Sequence, residues 1–441
     1  RTLGNGLYYF QAEVTPDGRQ DPDFYYLTGV TAPSARLLIV RQDDDLSTDL
    51  FLAGRLGTTD GARPLTEFDQ VVREAMNSRP VRLITPLSPA QDEVVAGLIE
   101  QMNRPSRVAP SGGGSEGLQF INPSGVLRTM RGTKSPAEME LIQIASDITR
   151  NAHIAAMRTA DTGMNEFELQ AVIEYTFQRN GSARPGFDSI IGSGANSLVL
   201  HWSDNNCFME EGDVIVMDIG AEYFGYTSDV TRTIPVSGTF TREQRDIYEI
   251  VLAAHLAAAE LAEVEGTAFS DLSAVANDVL AEGLARIGLI ESPEATVPGS
   301  GMGRARSQLG LFYYHGLGHG IGLVVHDSMP EGNTIVEGAC FTIEPGIYVR
   351  PEVLDMLGSG AEAEALRQKL APVVARYANI GIRIEDSYAF TDRGLVRLSA
   401  GTPRTVEEVE AMMAGPNIFN ELRDARIVDY YRNFIPPGNF P

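Results

Sequence analysis

An α/β domain followed by an α+β domain is the fold class that this sequence predicts. Three observations carry it. The chain has 441 residues, enough for two domains at roughly 100–200 residues each. Short apolar runs alternate with helical patterns up to residue 125, whereas long helices mixed with hairpin patterns follow it.

Composition narrows the class. Hydrophobic residues make up 43% and charged residues 21%, the ordinary balance of a chain that buries a core. No run approaches the ~18–20 apolar residues of a membrane span, so no membrane partner is expected. Lys plus Arg number 35 against 59 Asp plus Glu, a net charge of −24 that repels a phosphate backbone and argues against nucleic acid. With two cysteines, Cys207 and Cys340, a disulfide framework and a Cys-rich zinc site are both excluded. The first residue is Arg1, which fits a removed signal peptide, a trimmed tag or an omitted start. A cytoplasmic location is expected, with export after signal removal as the alternative.

In the first domain, residues 1–125, Leu37-Leu38-Ile39-Val40, Leu50-Phe51-Leu52-Ala53 and Val81-Arg82-Leu83-Ile84 read as strands. Ala90 to Met102 reads as a helix, which together suggest a small mixed or parallel sheet. Ser111-Gly112-Gly113-Gly114-Ser115 is a flexible stretch near the end of this domain. The second domain is placed at 126–441. Ser135-Pro136-Ala137-Glu138 is a capping box with Pro at the first helical position, and opens a helix to about Ala160. Asn165 to Gln178 reads as a second helix, and Thr241-Arg242-Glu243-Gln244 caps a third reaching about Glu265. Strand patterns fall at 213–219, 226–234, 321–326, 339–349 and 381–390.

Acids in the middle of those strands carry the chemistry. Asp218 and Asp229 lie on two apolar strands joined by a turn around Tyr223-Phe224, a register that sets them opposite each other. Facing carboxylates with Cβ atoms roughly 4.5–5.5 Å apart repel, so one is protonated or a cation lies between them. In another register they point apart into solvent. His315, His319 and His326 put three of six histidines in one short stretch. Gly316, Gly318, Gly320 and Gly322 argue against a helix there, and in an extended chain His315 and His319 share a face. A phosphate cradle is disfavoured, because no Lys and no helix start follow the glycines. Glu344 and Glu385 sit inside apolar runs, and a buried Glu is rare unless paired or bound to metal. For Glu385 the alternative is an ion pair with Arg383 on the same strand face. Two Asp, one His and two Glu make an oxygen-rich set with room for two divalent ions, suited to manganese or cobalt. A serine hydrolase is disfavoured, since Gly192-Ser193-Gly194-Ala195 breaks the G-x-S-x-G elbow.

These strings resemble the pita-bread metallopeptidases, the family of aminopeptidase P, prolidase and methionine aminopeptidase. The likeness rests on Asp218 in MDIG, Asp229 in SDVTRT, His319 in HGLGHGIG, Glu344 in TIEPG and Glu385 in RIED. It implies a creatinase-like α/β domain at 1–125 and a pita-bread α+β catalytic domain at 126–441. Asp218, Asp229, His319, Glu344 and Glu385 become the ligands of two divalent metal ions, manganese first and cobalt or zinc as alternatives. Asp229 and Glu385 are expected to bridge. Glu344, His326 and His315 are implied as catalytic, Glu344 handling the proton of the attacking hydroxide. His201, His315, His326, Tyr348 and Arg383 are implied to meet the substrate. Asp23-Phe24-Tyr25-Tyr26-Leu27-Thr28-Gly29 resembles the amino-terminal domain of the aminopeptidase P branch, which methionine aminopeptidases lack. The expected substrate is therefore a peptide with proline second, cleaved before the proline, by a homodimer or higher homo-oligomer. Residues 327–343 lack the Arg and Lys common in relatives, whereas an insertion at 350–379, helical from Glu362 to Tyr377, is similar to prolidase. An Xaa-Pro dipeptidase is the alternative, and a metal-free peptide-binding relative is a further one.

Overall fold

The structure is a computed structural model describing residues 4–15, 18–53, 61–76, 82–86, 95–97, 119–298, 306–417 and 419. By its internal contacts the chain divides into two units, Arg1–Arg131 and Gly132–Pro441.

The first unit is built on a six-stranded mixed sheet. Its strands are β1 (Gly6–Gln11), β2 (Arg36–Gln42), β3 (Asp45–Leu52), β4 (Arg63–Pro64), β5 (Arg82–Ile84) and β6 (Gln119–Ile121), in the order β4-β3-β2-β1-β5-β6. The central β1–β2–β3 ladder is antiparallel, while β4, β5 and β6 add in parallel. Side chains alternate between faces along a strand, and the two faces bury different sets. Leu7, Tyr9, Leu38, Phe51 and Leu83 pack with Phe68 and Val72 of the helix Phe68–Met76. Phe10, Leu37 and Leu52 pack with Phe24 and Leu127. Leu127 and an Arg131–Asp23 ion pair at 2.9 Å tie the helix Ser124–Gly132 to this unit. Of the helix expected at 90–102, only 95–97 is described, as helix. The stretch 111–115 lies outside the described residues.

The second unit packs long helices on antiparallel sheets. Reciprocal capping boxes at Ser135, Asn165 and Thr241 start the helices Pro136–Thr159, Glu166–Arg179 and Arg242–Leu261. A further helix, Phe269–Ile287, packs beside the last of these in the same core. Strands β7 (Ile190–Ser193), β8 (Val214–Ile219) and β11 (Val230–Pro235) form one sheet, with β8 in the middle. The short pair β9 (Glu222–Tyr223) and β10 (Tyr226–Thr227) closes the β8–β11 hairpin. A second sheet holds β12 (Cys340–Ile343), β15 (Asp386–Thr391) and β16 (Gly394–Arg397), and β13 (Gly346–Val349) pairs with β14 (Ile380–Arg383). The helix Ala361–Tyr377 lies in the inserted stretch before β14. Among the described residues, no helix is long and apolar enough to cross a membrane.

Three expected strands are each split by a two-residue interruption, at 228–229, 344–345 and 384–385. Pro345 lacks an N–H for the ladder, which accounts for the second. The hairpin register also differs from expectation. Its turn is Phe224-Gly225, both left-handed with φ 47° and 83°, one residue later than the sequence suggests. Asp218 therefore pairs with Thr231, and Asp229 lies two residues short of that pair. A shift of two keeps side chains on the same face, so both carboxylates still point one way. Gly220 lets the strands cross there, since a Cβ on it would collide with the Ser228 carbonyl. Residues 321–326 form no strand. Asp327 N–H donates back to Gly320 O at 2.8 Å, and Leu323 N–H donates to Asp327 Oδ2 at 2.9 Å, so the backbone closes on itself.

Candidate metal centre and active site

The three interruptions all occur at acids. A regular pleat sends successive side chains to opposite faces, and a break in the ladder re-aims one of them. Asp229 sits in the first break, Glu344 in the second and Glu385 in the third, while Asp218 stays within β8. His319 comes from an extended ribbon laid along β12. Thr342 N–H donates to His319 O at 2.8 Å, and Glu344 N–H donates to Leu317 O at 2.7 Å. This close approach explains the glycine run, because a Cβ at Gly318 would strike the Thr342 carbonyl.

One donor atom each from Asp229, His319 and Glu385 lies within 4.8 Å of the others. His319 Nε2 is 3.4 Å from Asp229 Oδ2 and 3.6 Å from Glu344 Oε1. The other ring nitrogen, Nδ1, is 3.1 Å from Gly320 O, which places its proton there and leaves the Nε2 lone pair facing the acids. Asp218 Oδ1, Asp229 Oδ1 and Glu385 Oε1 are buried without a hydrogen-bond partner among the described residues. Buried carboxylate oxygens left open and converging on one imidazole form a hard donor set that fits divalent cations.

Electrostatics match that geometry. Burial, then the charges of Glu385, Asp218 and Glu344, push Asp229 well above the usual carboxylate range. Burial and Glu385 do the same to Glu344, and burial with Asp218 raises Glu385 to about 7. Asp218 goes the other way. Burial, the largest influence, would raise it, but Arg383, donating to its Oδ2 at 2.6 Å, together with Asp229 and His319 holds it below the ordinary value. The alternative ion pair between Arg383 and Glu385 is not formed: Arg383 pairs with Asp218, while Glu385 Oε2 accepts from Thr231 Oγ1 at 2.7 Å.

Arg383 also donates to Tyr348 Oη at 3.0 Å, and Tyr348 Oη lies 2.8 Å from His315 Nε2. His315 Nδ1 is 2.8 Å from Gly316 O and takes the ring proton, so Tyr348 donates to Nε2. Burial, with Arg383 adding to it, lowers His315 to about 4, and burial with His326 lowers His319 to about 4. Both rings are neutral at pH 7. His326 lies over His319, ring centroids 4.0 Å apart.

A cavity of about 460 Å³ collects Asp218, Asp229, His319, Glu344, Glu385, His201, His315, His326 and Arg383 on its wall. Tyr348 is the exception among the expected site residues. It is fully buried behind His315, so it stands behind the cavity wall. Gly316 and Gly318 of the glycine run also line it, as do Phe187, Asp188, Ile190, Leu200, Ser203 and Val325, which were not singled out from the sequence. Thr231 was missed as well, although its position two residues after Asp229 puts it on the same strand face.

Residues 140–392 match the model of metallopeptidase family M24. The Xaa-Pro aminopeptidase of Escherichia coli K12 is 31% identical over 423 residues, covering 90% of this chain and 89% of that one. The Xaa-Pro dipeptidase of Homo sapiens is 34% identical over 307 residues, covering 64% of this chain and 60% of its own. A solved structure of an Escherichia coli aminopeptidase P variant in complex with substrate superposes with a TM-score of 0.77 at 29% identity, covering 93% of this chain and 94% of that one. The chain belongs to metallopeptidase family M24, a family whose chemistry uses divalent metal ions. Its fold is the one the resemblance implied, an amino-terminal α/β domain followed by a pita-bread catalytic domain.

Proposed function

We propose that the chain is an Xaa-Pro aminopeptidase, hydrolysing the bond between an amino-terminal residue and a following proline. The observation that carries this is the convergence of Asp218, Asp229, His319, Glu344 and Glu385 on one cavity, with an unsatisfied oxygen on Asp218, Asp229 and Glu385 among the described residues. The likeness to an aminopeptidase over 90% of the chain, against 64% for a dipeptidase, favours this branch.

In this reading Asp218, Asp229, His319, Glu344 and Glu385 would hold two divalent ions, manganese by preference. When bound, the ions supply Lewis-acid polarisation of the scissile carbonyl and a water acidified toward neutral pH. The remaining work belongs to side chains. Glu344, whose carboxyl is raised by burial, takes the proton of the attacking water and passes it to the proline nitrogen, which leaves as a secondary amine. Among the described residues, no hydrogen bond occupies the rings of His201 and His326, so both are available to substrate. His326 donates to the carbonyl oxygen as it gains charge. Asp218, Arg383, Tyr348 and His315 form one hydrogen-bonded chain that fixes the His315 ring. Proline offers no N–H, so recognition rests on ring shape and on its carbonyl. A homo-oligomer, dimer or larger, is part of the same proposal and is read by light scattering.

The decisive assay compares Xaa-Pro dipeptides with Xaa-Pro-Xaa tripeptides in added Mn²⁺. Release of the first residue from tripeptides is expected. Cleavage of dipeptides alone would shift the reading to a dipeptidase, and no metal-dependent cleavage of either would refute it.

A further inference from the structure

We infer that Glu166 is a positioning residue for peptide binding: it holds the segment 200–203 so that His201 and Ser203 face the cavity. The inference rests on the proposed substrate role of His201. Glu166 opens the helix Glu166–Arg179 and is completely buried. No cation pairs with it among the described residues. Five dipolar donors satisfy it instead. Its Oε1 accepts from Ser193 N–H at 2.7 Å, Ser193 Oγ at 2.7 Å and Asn196 Nδ2 at 3.0 Å. Its Oε2 accepts from Trp202 Nε1 at 2.9 Å and Cys207 N–H at 3.0 Å. The donors bracket the segment 193–207 at both ends and grip it beside His201.

The middle donor explains the aim of its neighbours. His201 and Ser203 line the cavity, whereas Trp202 between them turns its indole to Glu166. Trp202 stands between two cavity-lining residues, so anchoring its indole to Glu166 fixes the backbone from which His201 and Ser203 reach the cavity. Among the described residues His201 has no side-chain hydrogen bond to set its direction, which leaves that to the backbone. Other groups secure the chain on either side of 201–204: Tyr314 Oη donates to Leu198 O at 2.7 Å and Arg383 Nη2 to Leu200 O at 3.4 Å before it, and Asn205 Nδ2 donates to Ser189 O at 2.7 Å and Asn165 Nδ2 to Asn206 O at 3.0 Å after it. A neutral amide cannot replace the carboxylate. Gln at 166 presents NH₂ to donors that need an acceptor, leaving them buried and unpaired.

The test is a double-mutant cycle on the manganese-loaded enzyme with an Xaa-Pro-Xaa tripeptide, with metal content and thermal unfolding measured for every variant. Glu166→Gln is expected to lower kcat/KM by up to about 10²-fold, the scale of a misplaced positioning group, at unchanged metal content. In the His201→Ala background the same change is expected to cost less than about threefold, because the group it aims is gone. Trp202 is the single tryptophan of the chain, so its emission reports this segment alone, and Glu166→Gln is expected to shift it to the red. Should Glu166→Gln not fold, Trp202→Phe removes one donor and keeps the carboxylate. Its expected cost is about 5- to 10-fold in kcat/KM, again lost when His201 is Ala. If His201→Ala is impaired but the effects at 166 or 202 simply multiply with it, the positioning role is overturned. An unmoved Trp202 emission or parent-like kcat/KM in Glu166→Gln overturns it too. A His201→Ala enzyme as active as the parent instead refutes the substrate role of His201, and this inference with it.

Discussion

Glu385 and Asp386 are neighbours, both buried, and they live in opposite electrostatic worlds. Asp386 faces the core of β15. Arg232 donates to its Oδ1 at 2.6 Å, Ser399 Oγ at 2.7 Å, and Arg404 and Arg397 reach its Oδ2 at 3.0 and 3.3 Å. His255 Nε2 lies 3.3 Å from it. Burial alone would raise this carboxyl, but Arg232 and the groups around it hold it well below the ordinary value. Glu385 faces the cavity in the strand break, has one oxygen without a partner, and is raised to about 7. The contrast separates two uses of a buried acid. One that is saturated by cations glues the core; one left hungry awaits a ligand from outside.

The largest effect is expected on the hungry side. Asp229→Asn or Asp218→Asn should reduce hydrolysis to background and lower bound metal, measured by turnover and elemental analysis. Full activity in either variant would refute the two-ion reading. His326→Ala should retain metal yet slow turnover by roughly 10²–10³-fold, the scale of losing one transition-state donor. Equal loss of metal would make His326 a ligand instead. On the saturated side, Asp386→Asn leaves the Arg232 charge buried without its partner and should cost about 3–5 kcal/mol in denaturant unfolding. A stability like the parent's would show that the cationic cluster is self-sufficient.

The pH response sharpens the same contrast. In the metal-free chain, Glu385 holds its proton up to about 7 when folded but only to about 4.5 when unfolded. The folded state binds more protons in that window, so stability falls as pH rises through it. Asp386 works in reverse: its contribution is present above about 3.8, the ordinary value, and is lost as pH falls toward its depressed folded value. Melting of the chelator-treated protein is therefore expected to peak in mild acid. Saturating Mn²⁺ should cancel the decline toward neutral pH, and a decline that persists with metal would place its origin elsewhere.

The acids themselves were legible in the sequence because a carboxylate inside an apolar strand is chemically conspicuous. How they are aimed was not. Period-two patterning runs unbroken through Asp229, Glu344 and Glu385, and carries no mark of an interruption that only the three-dimensional ladder shows. The hairpin register slipped by two because the second left-handed turn residue beside Phe224 is Gly225, which tolerates that conformation, and not Tyr223, which pairs with Tyr226 instead. Residues 321–326 have strand-like composition, yet Asp327 supplies local partners that compete with a ladder. The role of Glu166 and the place of Tyr348 behind His315 depend on contacts with residues distant in sequence, which no local window records.

Each unit closes an apolar core of its own, around Tyr9 and Phe24 in the first and around the helices and β8 in the second. Thermal denaturation of such a chain need not be one event. A cation that binds only the second unit's carboxylates adds its binding energy to that half alone, and draws its melting away from that of the first on the temperature axis.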